Sequence, residues 1–242
     1  MSILDRKERN WASREHLILE HADDLIRQHG YLGLNLDHLA ERIEYSKATI
    51  YNHFSTKEDL LLGVTNLHLQ TRKELFSRAL TYDGLSRERG LALGVADITL
   101  AQQYPHGFPL FQLLQNPSIW EKTSEEHQKA FANINNSCIQ ISGEVIRQAR
   151  ALGDLPASAP ADSQILFGII SLSKGAHLLA QTSHTPFTTM PGFPWEALMA
   201  NYHVFLDGVG WRPLQGDFDY VAAETRVRTT LFAQEAISPA HR

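Results

Sequence analysis

Apolar residues in this chain recur at intervals of three and four, and strand-like alternation is nearly absent. Ile18, Ala22, Leu25 and Ile26 fall on one helical stripe, Leu36, Leu39, Ala40 and Ile43 on a second, and Ile50 and Phe54 on a third. A helix turns every 3.6 residues and a strand alternates with period two, so this spacing predicts an all-α chain. Gly30 stops the first stripe, and Asp83-Gly84 breaks a longer helix running from Lys57 to about Tyr82. Helical patterns follow at 86–104, 107–115, 117–151, 160–184 and 193–211, punctuated by Pro105, Pro117, Pro156, Pro160 and Pro194. GDLPASAPAD (153–162) and SHTPFTTMPGFP (183–194) read as connections. A C-terminal extension, 214–242, offers one more helix at 218–237.

The chain has 242 residues, 43% apolar and 20% charged, enough for one large or two small domains with a sizeable core. A net charge of −5 excludes a polycation, so any contact with nucleic acid must come from a local patch. The single cysteine, Cys138, cannot form an intrachain disulfide, which fits a reducing compartment. The charged N-terminus lacks the apolar core of a signal peptide, and no apolar run reaches the roughly 18 residues needed to cross a membrane. The expected setting is the cytoplasm, without membrane contact.

The stretch YSKATIYNHFSTKEDLL (45–61) places one short helix directly ahead of another helix start. Two short helices joined by a tight turn and braced by a third make a helix-turn-helix, whose second helix can lie in a major groove. Such a helix needs an apolar face to hold it, here Ile50 and Phe54. It also needs a small polar face for base edges and phosphates, which Lys47, Ala48, Thr49, Asn52 and His53 suit. Ser46 stands where an N-cap is wanted, and Ser55 with Glu58 matches a capping box for the next helix. Lys57, in that helix's first turn, opposes the macrodipole by about 0.3–1 kcal/mol unless a phosphate lies nearby.

SKATIYNHFSTKEDLL, preceded by LDHLAERI, resembles the signature of tetracycline-repressor (TetR) family regulators over about residues 12–72. The resemblance implies a three-helix DNA-binding domain at 12–72, with its motif at about 35–54, and a helical ligand-binding and dimerisation domain at 73–242. By position, Tyr51, His53 and Lys57 are then expected on phosphates, and Lys47, Ala48, Thr49 and Asn52 facing bases or the backbone. Two features depart from the family pattern. Glu44 and Tyr45 stand where Gly and an aliphatic residue are usual, and a Glu in a left-handed turn costs about 1 kcal/mol relative to Gly. The first 60 residues also carry eight Lys and Arg against eleven Asp and Glu. Arg6, Lys7, Arg9 and Arg14 cluster at the start, where an arm can reach the DNA backbone or a minor groove.

The resemblance implies a homodimeric repressor of an operator in double-stranded DNA, released by a small-molecule effector. The alternative is a ligand-independent factor controlled by a protein partner through the C-terminal helix. Segments 160–184 and 193–211 are expected at the dimer seam, with Ser171, Gly175, Leu178, Tyr202 and Leu206 in it. Phe108, Phe111 and Trp120 are candidates for an apolar pocket, with His127, His177 or Gln181 as polar anchors. No catalytic motif accompanies Ser171-Leu172-Ser173-Lys174, and no Walker loop or dinucleotide fingerprint occurs, so no enzyme is expected. Twelve histidines are dispersed, with His106, His127, His177, His184 and His203 in separate segments. No pair sits at ligand spacing on one turn, and neither a metal nor a cofactor is expected.

Overall fold

The computed structural model describes residues 3–182 and 185–237; His184 and the last five residues of the extension lie outside them. Among the described residues, regular structure is helical throughout. The elements are α1 (Ile3–Gly33), α2 (Leu36–Arg42), α3 (Lys47–His53), α4 (Lys57–Leu80), α5 (Ser86–Gln103), α6 (Gly107–Leu113), α7 (Pro117–Trp120), α8 (Glu125–Leu152), α9 (Asp162–Ala180), α10 (Trp195–Gly208), α11 (Tyr220–Leu231) and α12 (Ala233–Ile237). Two short 3-10 turns, Pro186–Thr189 and Gln215–Asp217, flank α10. Gly30 takes φ 68°, ψ 170° inside α1 and kinks it, so the helix resumes for one turn rather than ending. No described helix is long and apolar enough to cross a membrane.

The chain divides into two units, residues 1–70 with 106–134, and residues 71–105 with 135–242. The first boundary falls after Gln70. The grouping of 106–134 with the N-terminal helices differs from the expected 73–242 domain, and its cause is both apolar and polar. Leu110 is buried in the core formed by Ile18, Ala22, Leu25, Ile26, Leu39, Ile50 and Phe54, and Leu113 packs against it. Thr56 Oγ1 donates to the Lys122 carbonyl at 2.7 Å, and Lys122 pairs with Glu58 at 3.0 Å. The single helix expected over 117–151 divides into α7 and α8 because Ser124 caps the second. Its hydroxyl accepts from the His127 amide at 3.3 Å and its carbonyl from the Gln128 amide at 3.0 Å.

In the second unit α5 runs through the core. Leu91, Ala92, Val95, Ala96 and Ile98 are buried against Leu75 and Phe76 of α4, Leu198 and Met199 of α10, and Ala223 and Val227 of α11. Helix α10 lies against α9. Their close approach needs Gly168, since a Cβ there would sit 2.4 Å from the Phe205 ring. The C-terminal helix expected at 218–237 breaks at Phe232 into α11 and α12. Tyr220, Ala223, Val227 and Phe232 are buried within their own unit. Its apolar face packs on α5, while Val221 is 81% exposed.

A buried cation closes this unit. Arg87, 1% exposed, donates from Nη1 to the Trp211 carbonyl at 2.5 Å and to the Pro213 carbonyl at 2.8 Å. The same nitrogen lies 2.6 Å from Asp207, and the guanidinium stacks over Tyr220 at 4.8 Å. Trp211 Nε1 in turn donates to Ser86 Oγ at 3.0 Å. Removing one partner of a buried pair leaves carbonyls and a carboxylate uncompensated. Arg87→Ala is expected to cost the second unit about 3–5 kcal/mol, measured by denaturant unfolding followed through tryptophan fluorescence.

Candidate nucleic-acid interface

Helix α3 is seven residues long, too short to persist alone in water. Its N-terminus is fixed by Ser46, whose hydroxyl accepts from the Thr49 amide at 3.1 Å. Its back is fixed by Ile50 and Phe54, each 1% exposed in the core of the first unit. The turn ahead of it takes the left-handed conformation at Glu44, φ 55°, where glycine would carry no penalty. The Tyr45 amide there donates to the Ala40 carbonyl at 3.0 Å, and the Tyr45 ring, half-buried, packs against the core. The departure from the family pattern thus keeps the backbone path and accepts the strain.

The outer face carries Lys47, Ala48, Tyr51 and Asn52, all exposed, with Tyr51 at 49%. Thr49 is half-buried, with Oγ1 2.9 Å from Ser46 Oγ. Lys47 Nζ lies 2.5 Å from Asp37 on α2, and this hydrogen bond raises the ammonium pKa above its ordinary value. Lys57 sits in the first turn of α4 and donates to the Leu32 carbonyl at 3.3 Å.

His53 requires a correction. Its side chain is 1% exposed, its ring lies 3.7 Å from that of Trp11, and Nδ1 is 3.5 Å from a Glu15 oxygen. It helps lock α3 to α1 and cannot reach a phosphate from there, because it shares the inward phase of Ile50. The capping box also moves by one residue. The cap of α4 is Thr56, whose Oγ1 accepts from the Asp59 amide at 2.9 Å, while Asp59 Oδ2 accepts from the Ser55 amide at 3.2 Å. Glu58 is drawn away by Lys122. The basic arm is corrected too. Residues 3–14 are helical backbone within α1, with Arg9 and Arg14 exposed along it.

The six pocket candidates divide between the units and form no single site within either. In the first unit the Phe108 ring stacks on Phe111 at 6.2 Å, and Phe111 and Trp120 both meet Phe131, at 5.8 and 5.4 Å. His127 is held by residues of its own unit. Its Nδ1 lies 2.8 Å from Asp59, and its ring stacks on Phe54 at 5.1 Å. In the second unit His177 Nε2 lies 3.1 Å from Asp97 Oδ2, which also accepts from Ser173 Oγ at 2.5 Å. Arg72 pairs with the other oxygen at 2.9 Å. Burial alone would raise the Asp97 carboxyl; Arg72, His177 and Ser173 hold it well below the usual range. Gln181 is exposed and donates to the His177 carbonyl at 3.1 Å.

Among the expected seam residues, Ser171 and Leu178 are exposed, Leu178 at 52%, and Gly175 is half-buried. Tyr202 and Leu206 are corrected to core positions, 7% and 6% exposed. The Tyr202 hydroxyl donates to the Ile169 carbonyl at 3.4 Å. The outward phase of α10 is carried by Asn201, Val204 and Gly208 instead, with Val204 68% exposed, and Phe167 on α9 is 71% exposed. Gly168, Ser171, Leu172, Asn201, Val204 and Phe205 line a shallow open groove between the two helices.

A capped short helix with a polar outer face, preceded by a tight turn and seated on two bracing helices, defines a helix-turn-helix DNA-binding protein. Residues 18–64 match the family described as bacterial regulatory proteins, tetR family. The matched residues span α2 and α3 with the adjoining parts of α1 and α4. No curated relative matches it. Its fold resembles that of a TetR/AcrR-family regulator from Thermobifida fusca, at 21% identity and TM-score 0.63, over 81% of this chain and 98% of that one. It also resembles the TetR-family regulator PfmR of Thermus thermophilus, at 20% identity and TM-score 0.56, over 78% and 97%. A regulator from Saccharomonospora viridis solved in complex with choline is similar at 18% identity and TM-score 0.56, over 81% and 96%.

The Asp59–His127 pair gives this unit a pH signature. The hydrogen bond that His127 donates to Asp59, opposed by burial and reinforced by the charges of Asp59, Glu15 and Glu126, raises the His127 pKa. Burial would raise the Asp59 carboxyl, but His127 and the Ser124 amide bring it down to about 2. A raised histidine stabilises the fold fully below its unfolded value of about 6.5, and that stability is lost as pH rises through the folded value. The Asp59 contribution is present above about 3.9 and is lost as pH falls toward 2. Unfolding midpoints measured from pH 5 to 9 are expected to decline on the alkaline side, and His127→Gln should flatten that decline.

Proposed function

We propose that the protein is a homodimeric repressor that places α3 of each copy in successive major grooves of an operator and leaves it when a small ligand binds the second unit. The observation that carries this reading is the split of α3 into a buried face, Ile50, His53 and Phe54, and an exposed face, Lys47, Ala48, Tyr51 and Asn52. A lone seven-residue helix reads too few base pairs for useful specificity, whereas a two-fold pair spaced by about 34–36 Å doubles the site. Tyr51 and Lys57 contact phosphates in this reading, and Thr49 and Asn52 face base edges.

The exposed stripe of Phe167, Ser171 and Leu178 on α9, beside Val204 on α10, supports the dimer, because large apolar side chains grouped in this way favour a partner surface. A second copy would cover it with the same stripe, as two-fold symmetry requires. The ligand would be received in the second unit, whose half-buried Arg72 and buried Asp97, Ser173 and His177 offer charge and hydrogen-bonding groups. Release needs little energy, since a tenfold loss of DNA affinity corresponds to about 1.4 kcal/mol of coupling. The reading places the protein in the cytoplasm, where the DNA is.

Selection of genomic fragments by the purified protein tests the reading, and failure to enrich any sequence would overturn it. On the enriched operator, Tyr51→Ala and Lys57→Ala should each weaken binding to all sequences and reduce the salt slope by about one. A change in base preference alone would refute the phosphate assignment. Asn52 substitutions should instead shift preference at particular base pairs by roughly 1–3 kcal/mol. Phe167→Glu is expected to yield monomers by sedimentation and to weaken operator binding; a dimer that persists would place the seam elsewhere.

A further inference from the structure

Three donor atoms from widely separated parts of the chain meet inside the first unit. Asp23 lies on α1, His68 on α4, and His106 immediately before α6. The His68 Nε2 lies 2.8 Å from Asp23 Oδ1, and the His106 Nε2 lies 2.6 Å from the same oxygen. All three donors fall within 4.8 Å of one another. The imidazole rings stand nearly edge to face, 5.3 Å apart at 72°, so their Nε2 atoms converge from different directions. The side chains are 13%, 6% and 14% exposed, so the cluster is largely withdrawn from water.

We infer that Asp23, His68 and His106 form a binding site for a divalent cation of the zinc class, with a fourth position left for water or an exogenous ligand. Two imidazole nitrogens and one carboxylate oxygen are the donor types that Zn²⁺ takes at about 2.0–2.2 Å. They do not suit Ca²⁺ or Mg²⁺, which take oxygen ligands almost throughout. Tetrahedral donors at that range stand about 3.3 Å apart, so the carboxylate must withdraw from each ring by about half an ångström or slightly more. The side chains must also bring the two ring nitrogens, which lie within 4.8 Å of each other, to that spacing. The three backbones are held by the buried neighbours Ala22, Leu69 and Leu110.

The site joins α1 and α4, whose residues form the core behind α3, to the segment that begins at residue 106. Occupancy would tie these three parts into one coordination sphere and stabilise the unit against unfolding.

The test uses the full chain freed of metal by a chelator and titrated with Co²⁺ as a spectroscopic stand-in for Zn²⁺. The expected result is one Co²⁺ per chain, visible ligand-field bands of a four-coordinate ion, displacement by Zn²⁺ and a raised melting temperature. His106→Gln and Asp23→Asn, checked for fold by circular dichroism, should weaken uptake by more than about 100-fold. His29→Gln, at an exposed histidine, should leave it unchanged. Paramagnetic shifts of the His68 and His106 ring protons in the unmodified protein read the site without relying on any variant. Failure of the unmodified chain to take up Co²⁺, or uptake that survives His106→Gln or leaves both rings unshifted, would overturn the proposal.

Discussion

The packing of Ile50 and Phe54 into the core built by α1, α2 and α4 is the interaction on which the N-terminal unit depends. Helix α3 has two turns and cannot hold itself together by backbone hydrogen bonding, because nucleation costs more than so few bonds return. Its position and its phase are therefore inherited from the helices behind it. The same burial that seats Ile50 and Phe54 turns Tyr51 and Asn52 outward, so anchoring and presentation come from one periodicity.

Polar groups complete what apolar burial begins, and each unit has its own. In the first unit Asp59 takes hydrogen bonds from Ser55, Ser124 and His127, fixing the start of α4 and the start of α8 with one carboxylate. In the second, Asp97 gathers Arg72, Ser173 and His177, and Arg87 gathers the carbonyls that follow α10. Buried charges of this kind contribute little net attraction once desolvation is counted. They penalise alternative arrangements heavily, since any slip leaves a charge unpaired. They specify which helices meet more than they strengthen the meeting.

Much of the fold was legible from local pattern. The stripes at Ile18, Leu39 and Ile50 are buried as spacing required, Ser46 caps α3, and Glu44 carries the left-handed turn. Errors fell where two residues with equal local credentials differ only in a distant neighbour. His53 looked as polar as Asn52, but Trp11 and Glu15 on α1 enclose it. Tyr202 and Leu206 looked available for a seam, but they are buried in their own unit's core and Val204 is left outside. The histidines looked dispersed because His68 and His106 are 38 positions apart, and nothing in their surroundings along the chain announces Asp23 between them.

The sequence by itself determined the helical class, the placement of most helix ends, the helix-turn-helix and the inward phase of its apolar residues. These follow from forces that act within a turn or two: side-chain periodicity, capping and the backbone limits of Gly and Pro. Only the tertiary structure decided that residues 106–134 belong with the N-terminal helices, that His53 is an anchor rather than a contact, and that Asp23, His68 and His106 share one point in space. Those outcomes rest on which distant surfaces pack together, and long-range packing is chosen by the sum of many weak contacts that no short stretch of sequence records.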